Sequence, residues 1–183
     1  MIYLQKVKEE MPRVAFEESP RSDGVHLSVV IHDIATTAGL DNYTYGNEKN
    51  TMMEMGFIWE QVLERALKDR YAICNIGELC VDGIYMTPDK FDVENWVLHE
   101  YKCTWKSSKN DPIDNWRWMT QVKGYLHATQ TRRCDMHVLY INGDYKGTGP
   151  EWYRYSLEFT DQEIEENWTM IVNHAKRRGW IWQ

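Results

Sequence analysis

The sequence predicts an α/β (α+β) fold, with a central mixed β-sheet flanked by helices. Apolar residues recur at three- and four-residue steps between Thr51 and Asp69, which predicts an amphipathic helix. The segment Trp96–Thr104 is rich in aromatic and branched residues, which predicts a strand. Such segments follow one another as two helices, a strand-rich block, a helix, two strands and a last helix, an order typical of a mixed sheet with helices packed on it.

Local patterns predict the bounds of these elements. A helix over 24–38 ends at Gly39, and strands within 72–86 are followed by a turn at 87–90. Pro112 suits the first turn of a helix that reaches Thr129. Strands over 134–142 and 152–159 then precede a helix that ends near Arg178. Thr160 and Glu163 are spaced as a capping box at the start of that helix.

Length and composition predict one globular domain over residues 1–183, with an irregular arm over 1–24 and a core over about 50–178. Hydrophobic residues make up 43% and charged residues 27%, as in ordinary globular proteins. No apolar run approaches the roughly 18–20 residues of a membrane span. The start of the chain turns charged too soon for a signal peptide, so we expect a cytoplasmic protein.

Charge and cysteine spacing narrow the function classes. The net charge of −7 has the wrong sign for a protein that coats DNA by bulk electrostatics, but it is compatible with an enzyme whose acidic residues hold cations. The four cysteines form no Cys-x-x-Cys pair, so their spacing predicts neither a zinc site nor a disulfide framework. We expect all four to be small buried hydrophobic side chains: Cys74, Cys80, Cys103 and Cys134.

Glu100 and Lys102 are the most informative pair of residues. Side chains alternate along a strand, so both point to the same face of the predicted strand. Taken alone, they could form a salt bridge on an edge strand. Asp82 could join them if neighbouring strands pair, although Asp-Gly is also a common turn dipeptide. Two carboxylates beside a lysine favour a site for a hard divalent cation.

Asp82 followed by Glu100-x-Lys102 resembles the signature of the PD-(D/E)XK nuclease superfamily. Val81 stands where a proline often precedes the aspartate. The helix segment Gly56–Glu60 resembles the Gly-x-x-x-Glu motif of the lambda-exonuclease-like (YqaJ-type) branch. Gln121–Tyr125 resembles the Gln-x-x-x-Tyr motif of the RecB-like branch, and its two polar residues share one helical face.

This resemblance implies a restriction-endonuclease-like core and a role for each matching residue. Glu60, Asp82, Glu100 and the backbone carbonyl of Tyr101 would hold one or two Mg²⁺ or Mn²⁺ ions, without an iron–sulfur cluster. Lys102 would orient or activate the attacking water. Gln121 and Tyr125 would position Lys102 or the DNA strand.

The expected activity is that of a metal-dependent DNA exonuclease acting in recombination, repair or phage DNA processing. A structure- or sequence-selective endonuclease and a non-catalytic nucleic-acid-binding protein remain alternatives. The expected partner is DNA, and the chain could form a homo-oligomer. Several residues beside the predicted site are candidates for DNA contact: Trp105, Lys106, Lys109, Trp116 and Trp118.

Overall fold

The computed structural model describes residues 21–40, 49–68, 71–147 and 149–182. The elements in this part of the chain are β1 (Val25–His26), α1 (Leu27–Thr37), α2 (Lys49–Leu67), β2 (Ile73–Cys74), β3 (Leu79–Val81), β4 (Ile84–Met86), β5 (Lys90–Asp92), β6 (Val97–Thr104), α3 (Trp116–Thr129), β7 (Arg133–Tyr140), β8 (Glu151–Glu158) and α4 (Asp161–Arg177). A mixed sheet flanked by helices is therefore confirmed. Most of the predicted arm lies outside the described residues.

The strands form two sheets. The larger sheet has the order β2-β5-β6-β7-β8, in which β6 and β7 run parallel and the other neighbours are antiparallel. The smaller sheet has the order β1-β4-β3. The block of strands predicted over 72–86 is thus divided, because β2 belongs to the larger sheet while β3 and β4 belong to the smaller one.

The two faces of the larger sheet are covered by different helices. Leu98, Met136 and Val138 lie on one face, in a core cluster shared with α1, α3 and α4. Tyr101 lies on the other face, against Trp59 and other residues of α2. Because neighbouring strand residues point to opposite faces, β6 is covered on both sides. Such double coverage explains why this strand is almost uniformly apolar or buried.

The helix ends agree closely with the sequence at α4 and less closely elsewhere. Thr160 accepts a hydrogen bond from the backbone N–H of Glu163, whose carboxylate accepts one from the backbone N–H of Thr160, completing the capping box. Pro112 begins a separate 3₁₀ helix, and α3 begins only at Trp116, four residues after Pro112, with Asn115 as its cap. Helix α2 already begins at Lys49, so Thr51 lies within its first turn.

No helix in the described ranges is both long enough and apolar enough to cross a membrane. The longest of them, α2, carries charged residues along its length.

Candidate active site

The candidate site lies where β5 separates from β6. The last residue pair between these strands joins Lys90 and His99, so β6 continues beyond β5 on that side. Just past this pair, the backbone N–H of Tyr101 donates to Asp89 Oδ2 at 2.7 Å. The N–H and C=O of one strand residue point to the same side, so the Tyr101 carbonyl faces this edge too. The Asp89 carboxylate and the Tyr101 carbonyl therefore lie at the same edge of β6, where that strand extends beyond β5.

Glu100 and Lys102 project together from β6, as their spacing predicts. The Lys102 ammonium lies 2.5 Å from Glu100 Oε1 and donates to Gln121 Oε1 at 2.9 Å. Gln121 Nε2 in turn donates to the Tyr125 hydroxyl at 2.8 Å. Gln121 and Tyr125 lie one turn apart on α3, and this face of the helix packs beside β6. The structure thus links Glu100, Lys102, Gln121 and Tyr125 by consecutive polar contacts.

Glu60 approaches the same edge from α2. Burial raises the pKa of Glu60 to about 7, and the nearby charge of Asp89 adds to the rise. Burial and the charge of Asp89 likewise raise the pKa of Glu100 to about 8. Burial alone would lower the pKa of Lys102, but the charges of Glu100 and Asp89 outweigh it and raise that pKa. Three carboxylates and one ammonium therefore share one electrostatic environment.

The residues present fit a hard divalent cation. Glu100 is only 1% exposed, and its Oε2 atom has no hydrogen-bond partner among the described residues. A buried carboxyl oxygen without a partner is costly, and a bound cation would compensate it. Glu60, Asp89, Glu100 and the Tyr101 carbonyl supply the oxygen ligands that Mg²⁺ and Mn²⁺ prefer. In the described ranges no three His, Cys, Asp or Glu side chains are already gathered as a metal cluster, so side-chain adjustment would have to accompany binding.

Asp82, expected as a metal ligand, lies elsewhere, and this expectation needs correction. Asp82 and Gly83 have φ angles of 50° and 79° and form the two-residue turn between β3 and β4. This positive-φ pair is typical of a tight hairpin. The Asp82 carboxylate accepts a hydrogen bond from Trp168 Nε1 of α4 at 2.8 Å. The turn belongs to the smaller sheet, so strand pairing does not carry it to Glu100.

Asp89 is the candidate that the sequence interpretation missed. The sequence predicts a turn over 87–90, whereas in the structure β5 begins directly after Asp89, at Lys90. The signal was present, because Pro88-Asp89 matches the proline–aspartate pair of the signature described above, whereas Val81-Asp82 lacks the proline. A short strand of three residues gives little periodicity by which to recognise its pairing partner.

The predicted DNA-contact residues lie around the far end of β6 and the start of α3. Trp118 and Lys106 line one cavity of about 380 Å³ together with Thr104, which follows Lys102 on the same face of β6. Trp116 is half-buried against the core cluster. The Trp105 carbonyl accepts a hydrogen bond from Tyr145, and Lys109 lies 3.8 Å from Asp144.

The fold is shared with solved structures of exonucleases. No family model matches the chain, and no curated protein matches it. One of these exonucleases is LHK-Exo, an alkaline exonuclease from Laribacter hongkongensis. Its structure in complex with dAMP superimposes with a TM-score of 0.58 at 16% identity, over 84% of this chain and 87% of that one. A phage-related exonuclease from Haemophilus somnus 129PT gives a TM-score of 0.52 at 13% identity, over 82% of this chain and 79% of that one. The structure of SSO0001 gives a TM-score of 0.55 at 13% identity, over 87% of this chain and 76% of that one.

Proposed function

We propose that this protein is a divalent-metal-dependent deoxyribonuclease of the PD-(D/E)XK type that digests DNA from an end. The observation that carries the proposal is that Asp89, Glu100 and Lys102 lie together at the open edge of β6. Glu60 of α2 is near enough for its charge to act on Glu100. The likeness to exonuclease structures supports the same class of enzyme. The proposal keeps every predicted site residue except Asp82, whose place Asp89 takes.

The proposed metal ligands are the carboxylates of Glu60, Asp89 and Glu100 and the carbonyl of Tyr101. A bound Mg²⁺ or Mn²⁺ supplies a water of lowered pKa and neutralises charge on the phosphate. Asp89 also accepts a hydrogen bond from the Tyr101 N–H, which holds its carboxylate against β6. That bond fixes the position of one ligand relative to another before any metal binds, so less ordering remains to be done on binding.

Lys102 is the proposed catalytic cation. Its ammonium is held between Glu100 and Gln121, at 2.5 Å and 2.9 Å. Its raised pKa keeps it protonated near neutral pH, so it can orient the attacking water and offset the charge that develops on the phosphate. Gln121 and Tyr125 are proposed positioning residues, since their hydrogen bond fixes the oxygen that Lys102 contacts.

The test compares two DNA substrates of the same sequence, one a linear duplex labelled at its ends and one a covalently closed circle, each with Mn²⁺. We expect the linear duplex to be degraded and the circle to stay intact. Glu100→Ala should abolish the activity, whereas Glu94→Ala, at an exposed turn residue before β6, should retain it.

Two outcomes would replace the proposal. Cleavage of the closed circle by the wild-type protein, absent in Glu100→Ala, would make it an endonuclease on the same core. Binding of either DNA without cleavage, with Mg²⁺ or with Mn²⁺, would mean that the protein is a non-catalytic nucleic-acid-binding protein.

A further inference from the structure

A second cavity lies directly beside the candidate active site, on the α2 side of the sheet. Its volume is about 500 Å³, and its lining includes Gln61 and Lys90. These residues are the immediate chain neighbours of Glu60 and Asp89, two of the proposed metal ligands. A ligand in this cavity would therefore lie next to the metal site on the outer side of β5.

One face of α2 forms a wall of this cavity. Gln61, Glu64 and Arg65 of α2 line it together with Lys68, the first residue after the helix, at spacings of three, four and seven residues. Residues with these spacings lie on the same side of a helix. Ile73 of β2 and Asn75, which follows that strand, also line the cavity. The cavity is thus a groove between a helix and a sheet edge, and these elements belong to the scaffold that also positions Glu60 and Asp89.

The groove is cationic in a chain whose net charge is −7. Among the lining residues that the structure describes, Arg65, Lys68 and Lys90 contribute three positive charges, against one negative charge from Glu64. Glu64 pairs with Lys90 at 3.0 Å, so the other two cations are left as the net positive charge of the groove. An anion that approaches the metal site from this side meets attraction rather than the general repulsion of an acidic protein.

The chemistry of the lining indicates phosphate rather than a base. The described lining residues include no aromatic side chain on which a base could stack. Arginine presents a fork of N–H donors that matches phosphate oxygens, and lysine, asparagine and glutamine can donate to the same atoms. The groove can therefore take a sugar–phosphate backbone without reading its sequence.

We propose that this groove binds the phosphate backbone of the nucleic-acid substrate next to the phosphate that is cleaved, through Arg65 and Lys68. This inference rests on the proposed function and extends it, because it assigns the path by which the strand leaves the metal site. The strand runs along α2, past the Glu64–Lys90 pair, on the face opposite α3.

The test measures the dissociation constant of a fluorescent DNA oligonucleotide by anisotropy, with Ca²⁺ in place of Mg²⁺ and at several KCl concentrations. The double substitution Arg65→Gln/Lys68→Gln should weaken binding by about tenfold or more at low salt. The slope of log affinity against log salt should flatten by about 0.7 to 0.9 for each phosphate that the variant no longer neutralises. In cleavage assays with Mn²⁺, the same variant should raise KM.

Two further variants make the test specific. Lys176→Gln/Arg177→Gln removes two exposed positive charges from α4, on the opposite side of the sheet, and should change the affinity less than about twofold. Arg65→Lys/Lys68→Arg keeps both charges in the groove and should restore most of the affinity.

The possible failures are distinguishable. If the wild-type protein cleaves DNA but the groove variant binds it as well as the α4 variant does, the groove proposal is wrong and the nuclease proposal stands. If the wild-type protein neither binds nor cleaves DNA, both proposals are wrong.

Discussion

The backbone N–H of Tyr101 donates a hydrogen bond to the carboxylate of Asp89 at 2.7 Å, at the point where β5 leaves β6. This contact joins an aspartate that precedes a short strand to the middle residue of Glu100-Tyr101-Lys102. It places Asp89 beside Glu100, whose pKa Asp89 helps to raise. One backbone hydrogen bond therefore distinguishes Asp89, the aspartate of the candidate site, from Asp82, whose carboxylate accepts a hydrogen bond from Trp168.

Asp89→Asn should reduce the initial rate of DNA hydrolysis by about 10³-fold, a loss of about 4 kcal/mol of transition-state stabilisation. The substitution keeps the size of the side chain but removes a charged metal ligand. The rate is measured with an end-labelled linear duplex and Mn²⁺. Asp82→Asn is the matched control and should leave the rate within about twofold, because asparagine tolerates the positive φ of the turn. A large loss of rate in Asp82→Asn, with little change in Asp89→Asn, would instead place the metal site at the Asp82 turn of the smaller sheet.

Lys102→Met should separate metal binding from catalysis. Methionine retains the apolar part of the side chain and removes the ammonium that contacts Glu100 and Gln121. We expect the rate to fall by about 10³-fold while calorimetry still detects Mn²⁺ binding. Glu100→Ala should lose both. Undiminished hydrolysis by Lys102→Met would exclude the proposed role of the lysine but not the fold.

Mn²⁺ binding should weaken as the pH falls. Glu60 and Glu100 have pKa values raised to about 7 and about 8, so near pH 6 both carboxyls carry protons that the metal must displace. We expect affinity at least about tenfold weaker near pH 6 than near pH 8.5, with proton release on binding. Calorimetry in buffers of different ionisation enthalpy measures both quantities. An affinity that does not change with pH would show that these carboxyls are not ligands.

The same two groups should make the metal-free protein less stable as pH rises. A carboxyl with a raised folded pKa contributes stability that is fully present below its unfolded pKa, about 4.5 for Glu, and is lost as pH rises through the folded value. The melting temperature in EDTA should therefore fall from about pH 5.5 to about pH 8.5, and Mn²⁺ should restore it most at the higher pH. Glu60→Gln/Glu100→Gln should show a smaller dependence on both pH and Mn²⁺.

Thr160→Ala should lower the free energy of unfolding by about 1 kcal/mol, because it removes the side-chain acceptor of the capping box of α4. Denaturant unfolding measures this change. Thr169→Ala, at an exposed position inside the same helix, should be neutral or slightly stabilising, since alanine has the higher helix propensity. Equal effects of the two substitutions would mean that the cap contributes nothing.

Local patterns accounted for most of the elements and for much of the candidate site. Two-residue alternation brought Glu100 and Lys102 to one face of β6, and four-residue spacing brought Gln121 and Tyr125 to one face of α3. The Thr160 cap was likewise predictable from residues three apart. Each of these relationships lies within a single element, where backbone geometry alone decides which side chains meet.

The amino-acid pattern alone was sufficient for the α/β class, the helices and the Glu-x-Lys strand, because these depend on periods of two and 3.6 residues. Which aspartate joins them depends on the tertiary structure. Strand pairing between distant segments places β4 in the smaller sheet and β5 beside β6, and no local pattern encodes that choice. Because β5 begins only at Lys90, β6 extends beyond it, and this open edge holds Asp89 and Glu100 with the groove along α2 beside them.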